Sequence, residues 1–494
     1  MMKGLIVVAI QTIVWMSSLA GNAAEPLPID SRLELFVDRY LFEHLTNARL
    51  HLHEPRDEGK VLLLDRPWEG PQSGYTTILK DGEKYLAYYR GISELGLDGS
   101  KHERTCLAES HDGLTWTKPD LGLYEFNGSK ANNIVLANVA PVTHNFCPML
   151  DTNPSVAVEE RFKGVGGTGK ELFAFVSADG RNWRKLHDQP ILSTHDVPLE
   201  HIHLFDSQNL AFWSDAEQCY VCYFRVWDGL RRIARSTSLD FVEWTPAVLM
   251  QQMHDDGLSG PQPAPPEHLY TNQTSPYFRA PHIYIATAAR FFEGRQVLSD
   301  AQAAELQVNP RYFHDTSDSI LMTSRGGQVY DRTFLEGYIK PGIGLQNWVS
   351  RTNYPALNVV QTSPTEMSLY VNHDYAQPSA HLRRYSLRID GFASVRAGAT
   401  EAELLTKPFV FSGSQLRINF ATSAAGGLRF ELQSAEGEPQ PGFTLADSQE
   451  QIGNEIDRVV AWNDGTSLAQ FAGKPVRLRC VMKDADLFSL QFTD

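Results

Sequence analysis

The chain has 494 residues and a formal net charge of −15, from 59 acidic and 44 basic side chains. That length exceeds one ordinary core, so more than one domain is expected. The acidic balance argues against nucleic-acid binding, which needs a basic face to displace counterions from phosphates, and disfavours an anionic membrane surface. A neutral or cationic ligand suits it, although a local Arg cluster can still hold an anion.

Lys3 precedes an apolar run from Leu5 to Trp15, broken at Gln11 and Thr12, and the small residues Ala20-Gly21-Asn22-Ala23-Ala24 come next. A basic head, a short apolar stretch and a small-residue cleavage zone predict a secretory signal peptide over residues 1–24, hence a secreted or periplasmic protein. The run is too short for a membrane span, and no later stretch is long and apolar enough, so no membrane insertion is expected. Leu33–Asp38 and Leu50–His53 alternate as half-buried strands do. Residues 25–60 therefore read as N-terminal strands that pack on the larger domain downstream.

From about Val61 the pattern becomes one of repeated hairpins. Tyr75–Leu79, Lys84–Tyr89 and Thr105–Glu109 form a first group, and Asn145–Leu150, Phe162–Val165 and Glu171–Val176 a second. Asn209–Trp213, Cys219–Arg225 and Arg232–Ser236 form a third; His282–Ala288 and Ser319–Thr323 belong to a fourth. Leu357–Gln361, Met367–Asn372 and Leu382–Ile389 make a fifth, ending at Asp390-Gly391. An insertion at about 291–317 interrupts the fourth group, with a helical turn read near Ala301–Leu306.

A phrase recurs at the end of the first three groups: Ser110-His111-Asp112-Gly113-Leu114-Thr115-Trp116, Ser177-Ala178-Asp179-Gly180-Arg181-Asn182-Trp183, and Ser238-Leu239-Asp240-Phe241-Val242-Glu243-Trp244. A degraded copy stands at Thr323–Tyr330. Asp-Gly makes a tight turn between antiparallel strands, and the Trp supplies a large apolar face for packing. Copies about 60 to 70 residues apart fit one four-stranded blade each. The expected fold is all-β: a five-bladed β-propeller over 61–398. After about residue 398, Leu416–Phe420, Leu428–Leu432, Val476–Val481 and Leu487–Phe492 alternate with period two, which predicts an antiparallel β-sandwich over 399–494.

The five cysteines, Cys106, Cys147, Cys219, Cys222 and Cys480, do not describe a disulfide framework. Cys219 and Cys222 lie on one strand, where residues three apart face opposite ways, so they read as core packing.

A five-bladed propeller followed by a β-sandwich resembles the invertase/levanase clan of glycosidases, and the propeller alone resembles the arabinanase and β-xylosidase clan. The invertase signatures Asn-Asp-Pro-Asn-Gly, Arg-Asp-Pro and Glu-Cys have no usable counterpart here, so the resemblance is that of a divergent relative. It implies a hydrolase that acts on glycosidic bonds of a poly- or oligosaccharide in the propeller's central pocket. Sialidases share similar Asp-turn phrases but have six blades.

Glycoside cleavage needs a proton donor for the leaving oxygen and a carboxylate as nucleophile or base. In those clans essential acids stand where inner strands begin. Carried over, that places Asp206 and Glu69 as the catalytic pair, with Asp228 beside them. In the second group Asn145 stands where an Asp is expected. Candidate substrate-binding residues are Arg90, Asn145, Gln208, Arg225, Trp227, Arg290 and His373. Three Arg at one mouth would suit a carboxylated or sulfated sugar. Trp227 reads either as a sugar-stacking ring or as a plug of the pore. Glu94, Glu293 and Asp374 are the next acids in line.

His51-Leu52-His53 and His201-Ile202-His203 have a spacing that metals use, but no third ligand is settled. Gly164–Lys170 lacks the Gly-Lys-Ser/Thr ending of a phosphate loop. Neither a metal nor a cofactor is expected. Two other classes stay open: a non-catalytic carbohydrate-binding propeller, and a sialidase-like or protein-binding one.

Overall fold

The computed structural model describes residues 25–94, 99–199, 203–463, 465 and 467–494. The segment read as a signal peptide, and His201 of the second His pair, lie outside the described residues.

Five separate sheets, antiparallel except where Gln251–His254 runs parallel to Val329–Asp331, stand around one axis. Blade one runs through Gly74–Asp81, Lys84–Ile92, Glu103–Ser110 and Ile134–Leu136 from the axis outwards. Blade two starts at Cys147–Leu150 and blade three at Leu210–Ser214. Blade four has Thr274–Tyr277 innermost, then Ala280–Phe292, Thr316–Ser324 and Val329–Asp331. Blade five begins with Tyr354–Pro355 and Val360–Gln361, and continues through Glu366–His373 and His381–Arg388. Its outer strand comes from far upstream, Arg56–Leu63, which pairs with His381–Arg388. The ring closes where Thr77 bridges Leu357: Ile78 N–H donates to Leu357 O at 3.0 Å, and Leu357 N–H to Thr76 O at 2.9 Å.

The recurring phrase works as its chemistry predicts. Asp112 Oδ1 accepts from Leu114 N at 2.7 Å and Thr115 N at 2.8 Å, while Ser110 Oγ accepts from Gly113 N at 2.9 Å. Asp179 and Asp240 repeat the pattern with Arg181 and Asn182, and with Val242 and Glu243. The third copy holds Phe241 where the others hold Gly, at φ 69°, a left-handed conformation that costs a bulky residue strain. The phrase also binds neighbouring blades. Tyr370 of blade five donates to Gly113 O at 2.6 Å, and Tyr88 of blade one to Gly180 O at 2.8 Å.

The C-terminal strands Gln415–Ser434 and Val476–Thr493 pair along most of their length and anchor a ten-stranded sheet. Alternate side chains such as Phe420, Phe430, Leu478 and Phe492 bury completely in its core. The upstream strands Leu27–Asp30, Glu34–Leu35, Phe42–Thr46 and Ala48–Leu52 belong to this same sheet. Leu33, Leu35, Val37 and Leu52 pack as well against blades four and five, beside Ile283, Leu321 and Leu369. The N-terminal segment therefore ties both parts together. The short helix Asp300–Glu305, capped by Ser299 and Gln302, lies in the blade-four insertion.

Candidate active site

The axis is blocked by a chain of polar groups, side chains from blades one to four and a backbone carbonyl from blade five. Gln208 Nε2 donates to Thr77 Oγ1 at 2.7 Å and lies 3.4 Å from Cys147 Sγ. Gln273 Nε2 donates to Gln208 Oε1 at 2.7 Å and to Pro355 O at 2.8 Å. Gln208, expected to meet a ligand, is instead part of this plug and fully buried.

Above the plug, at the end where inner strands begin, lies a pocket lined by Gly74, Tyr75, Arg90, His144, Tyr270, Tyr312, Arg351, Tyr354, Asn372 and Tyr375. It is narrow, a cavity of about 20 Å³. Several residues at this end have left-handed backbones, among them Tyr75 (φ 51°), His203 (52°), Phe205 (55°), Arg351 (60°) and Asn353 (67°). Such strain persists only where surrounding contacts hold it, and it gathers at functional sites.

Asp206 stands beside the pocket with its side chain 24 % exposed, and Arg225 Nη2 lies 2.5 Å from its Oδ2. His144 Nε2 is 3.5 Å from Oδ1, and His203 Nδ1 3.6 Å from Oδ2. Burial pushes the Asp206 carboxyl up, but His144 and Arg225 outweigh it and hold the group well below the usual carboxylate range. Arg225 also lies over the Tyr270 ring at 5.0 Å. The fully buried Glu103, which the sequence reading did not single out, accepts from His144 Nδ1 at 2.8 Å.

Arg90 donates to Gln72 O at 2.8 Å and Tyr375 Oη at 3.2 Å, and its guanidinium sits 4.7 Å from the Tyr75 ring. Arg351 Nε donates to Tyr270 Oη at 3.1 Å. Burial raises the Tyr270 phenol, yet Arg351 and Arg225 bring it below its ordinary value.

Arg90, Arg225 and Asp206 are thus brought together, and other candidates are not. Glu69 is buried inside blade one: its Oε2 is 2.6 Å from Lys118 Nζ and 3.0 Å from Arg66 N, and its Oε1 accepts from Tyr89 Oη at 2.6 Å. Tyr89 and Arg90 are consecutive on one strand and face opposite ways, so Glu69 and the pocket lie on different faces of the sheet. Asp228 is half exposed in a rim turn, 3.3 Å from Arg232. Arg290 is held by Asp318 at 2.9 and 2.7 Å and by Glu267 at 2.7 Å, outside the pocket. His373 is buried against Tyr385 Oη at 3.0 Å, with its imidazole lowered to about 3 by burial; its neighbour Asn372 is the residue that lines the pocket.

Asn145 does not point at a ligand. Its Nδ2 donates to Gly167 O at 2.9 Å, Phe205 O at 2.8 Å and Ser207 O at 2.6 Å, bracing the backbone on both sides of Asp206. Trp227 sits on the rim between His203 and His268, ring centroids 6.0 and 6.1 Å away, and the axial plug is made without it. Glu293 meets Arg231 at 3.5 Å, Asp374 lies 3.5 Å from His381, and Glu94 3.7 Å from His102. Among the described residues no group of three or more His, Cys, Asp or Glu could hold a metal ion, and all five cysteines are free thiols.

No family model matches the chain, and no curated protein matches it. Among solved structures it is similar to one described as a glycoside hydrolase, at TM-score 0.47 and 12 % identity over 68 % of this chain and 92 % of that one. It is similar also to an N-acetylgalactosamine deacetylase from F. plautii in complex with blood group B trisaccharide (0.44, 11 %, 69 % and 96 %). A third is an α-L-arabinofuranosidase from Clostridium thermocellum (0.39, 12 %, 63 % and 88 %).

Proposed function

We propose that the chain is an exported glycoside hydrolase that takes an anionic sugar at the mouth of the axial pocket and cleaves its glycosidic bond beside Asp206. The observation that carries this reading is a pocket lined by Arg90, Arg351 and five tyrosines with the Asp206–Arg225 ion pair at its border. Tyrosine offers an apolar face to a sugar ring and a hydroxyl to its oxygens. The guanidinium groups match a carboxylate or sulfate, whose attraction offsets the net negative charge of the chain. An ionised Asp206 stabilises the positive charge that develops at the anomeric carbon. Export is supported by the composition of residues 1–24 alone.

A second reading, a carbohydrate-binding propeller without turnover, is favoured by one feature: no carboxylate lines the pocket among the described residues, and Asp206 only borders it. One experiment divides the two. Glucuronate-containing and sulfated oligosaccharides are offered to the wild type and to Asp206→Asn, with binding followed by calorimetry and cleavage by new reducing ends. The hydrolase reading expects turnover to fall by about 10² or more while binding holds. Binding without cleavage by the wild type selects the second reading, and no binding removes both.

A further inference from the structure

With Glu69 locked to Lys118, the cleavage needs another proton source. The geometry points to His144 as the group that protonates the departing sugar oxygen, with Glu103 as the positioning residue that aims it. This assignment rests on the hydrolase reading above.

His144 is 1 % exposed and lies at the end of a short 3-10 turn, Val142–His144, just ahead of the inner strand of blade two. Its two nitrogens meet different surroundings. Nδ1 donates to Glu103 Oε1 at 2.8 Å, and Glu103 is wholly buried, so this bond fixes the plane of the ring. Nε2 is buried, lacks a hydrogen-bond partner among the described residues, and belongs to a side chain that lines the pocket. Among the described residues, Asp206 Oδ1, 3.5 Å away, is likewise without a hydrogen bond, as is Arg225 Nη1. Nε2 and Oδ1 face each other only as a long ion pair, and with Arg225 Nη1 they leave hydrogen-bonding capacity beside the pocket that a polar ligand can complete.

The groups around the ring set its charge. Burial lowers the imidazole, and Arg90 Nη1, 3.1 Å from Nδ1, opposes a proton as well. Asp206 and Glu103 outweigh both and raise it to about 9. The Tyr75 ring, edge-on at 5.5 Å, closes the remaining side. With a carboxylate facing each nitrogen, the ring is held as the imidazolium, protonated on Nε2, at neutral pH.

The step balances with water as the co-reactant. Nε2–H passes its proton to the glycosidic oxygen as the bond from that oxygen to the anomeric carbon breaks, and the alcohol departs. Water then bonds to the anomeric carbon and gives its proton to Nε2, which restores the imidazolium. One group acts first as acid and then as base, as the acid of a retaining glycosidase does.

The test compares methyl and 4-nitrophenyl glucuronides on the wild type and on His144→Gln. Methanol needs a proton to leave and nitrophenolate does not; azide, unlike water, needs no base. The variant is expected to lose about 10²–10⁴ in turnover of the methyl glycoside, and to recover most of the wild-type rate with the nitrophenyl glycoside in azide. Equal loss on both substrates, or loss on neither, overturns the assignment. So does a wild type that cleaves neither, in which case glucuronide binding by calorimetry still decides the pocket reading on its own. Because either variant can misfold, ¹⁵N imidazole spectra of the wild type give an independent reading: a neutral His144 at pH 7 overturns the proposal, and an imidazolium that Glu103→Gln turns neutral supports it.

Discussion

Glu69 and Asp206 occupy the same place in the repeat, the lead-in to an inner strand, and live in opposite surroundings. Glu69 is buried in blade one with both oxygens engaged by Lys118, Arg66 N and Tyr89. Asp206, at the border of the pocket, keeps one oxygen without a hydrogen bond among the described residues. The difference lies in the neighbours that face them. Glu69 packs beneath Gly91, where an added Cβ would meet Trp68 O at 2.8 Å, so sheet and lead-in close on each other. Asp206 stands instead where blades two and three part, propped by Asn145. Equivalent positions in a repeat share a backbone path; whether a side chain reaches the axis depends on which neighbour fills the gap.

The largest stability effect should come from breaking the blade-one pair. Lys118 is 8 % exposed and Glu69 not at all, so Lys118→Met leaves a buried carboxylate without its cation. A loss of about 3–5 kcal/mol is expected by chemical denaturation. The double variant with Glu69→Gln should recover part of it, since no uncompensated charge then remains. A loss under ~1 kcal/mol would show that water reaches Glu69 and that the two sites differ less than their geometry says.

The pocket side should reveal itself through pH. His144 has its folded value raised to about 9 against an unfolded value near 6.5. It therefore contributes stability that is fully present below pH 6.5 and is lost as pH rises through 9, on the order of 3 kcal/mol. The stability gap between wild type and His144→Gln should be widest in mild acid and shrink by pH 9–10. Asp206 has the opposite sign: its folded value is depressed, so its contribution stands above the unfolded value near 3.9 and is lost as pH falls. A gap for His144 that grows with rising pH would mean that the imidazole is neutral in the folded chain.

Much of the fold was legible because it is written locally. The Ser-x-Asp phrase satisfies its own backbone within a few residues, so it announces the first three blades from sequence alone. The site was legible only in part. Arg90 and Arg225 end second strands that alternation places well, and Asp206 follows from the lead-in rule. His373 fails by one residue, because at the end of blade five it is Asn372 that faces the axis. Glu103 sits within Lys101-His102-Glu103-Arg104, which reads as a solvated charge run; its burial depends on His144, 41 positions downstream. Arg351 comes from the connection between blades four and five, outside any repeat. No periodic signal reaches it.

The smallest effect discriminates between two arginines. Sequence placed Arg290 in the pocket, whereas the structure places Arg351 there and gives Arg290 to Asp318 and Glu267. Arg351 is held by Tyr270 Oη and by ring contacts, 5.3 Å from Tyr270 and 4.8 Å from Tyr312, with no carboxylate among its ion pairs in the described residues. Its charge is therefore available to an anion. Arg351→Gln should weaken binding of a glucuronide about tenfold, the ~1.4 kcal/mol expected of one charge-assisted contact, and flatten the salt dependence of binding. Arg290→Gln should leave affinity unchanged and cost stability instead, because Asp318 and Glu267 lose a shared cation. If calorimetry finds the two variants equally weakened, the anion site extends over blade four and the pocket is wider than the tyrosine wall suggests. If only Arg290→Gln weakens binding, the anion does not enter beside Tyr270 at all.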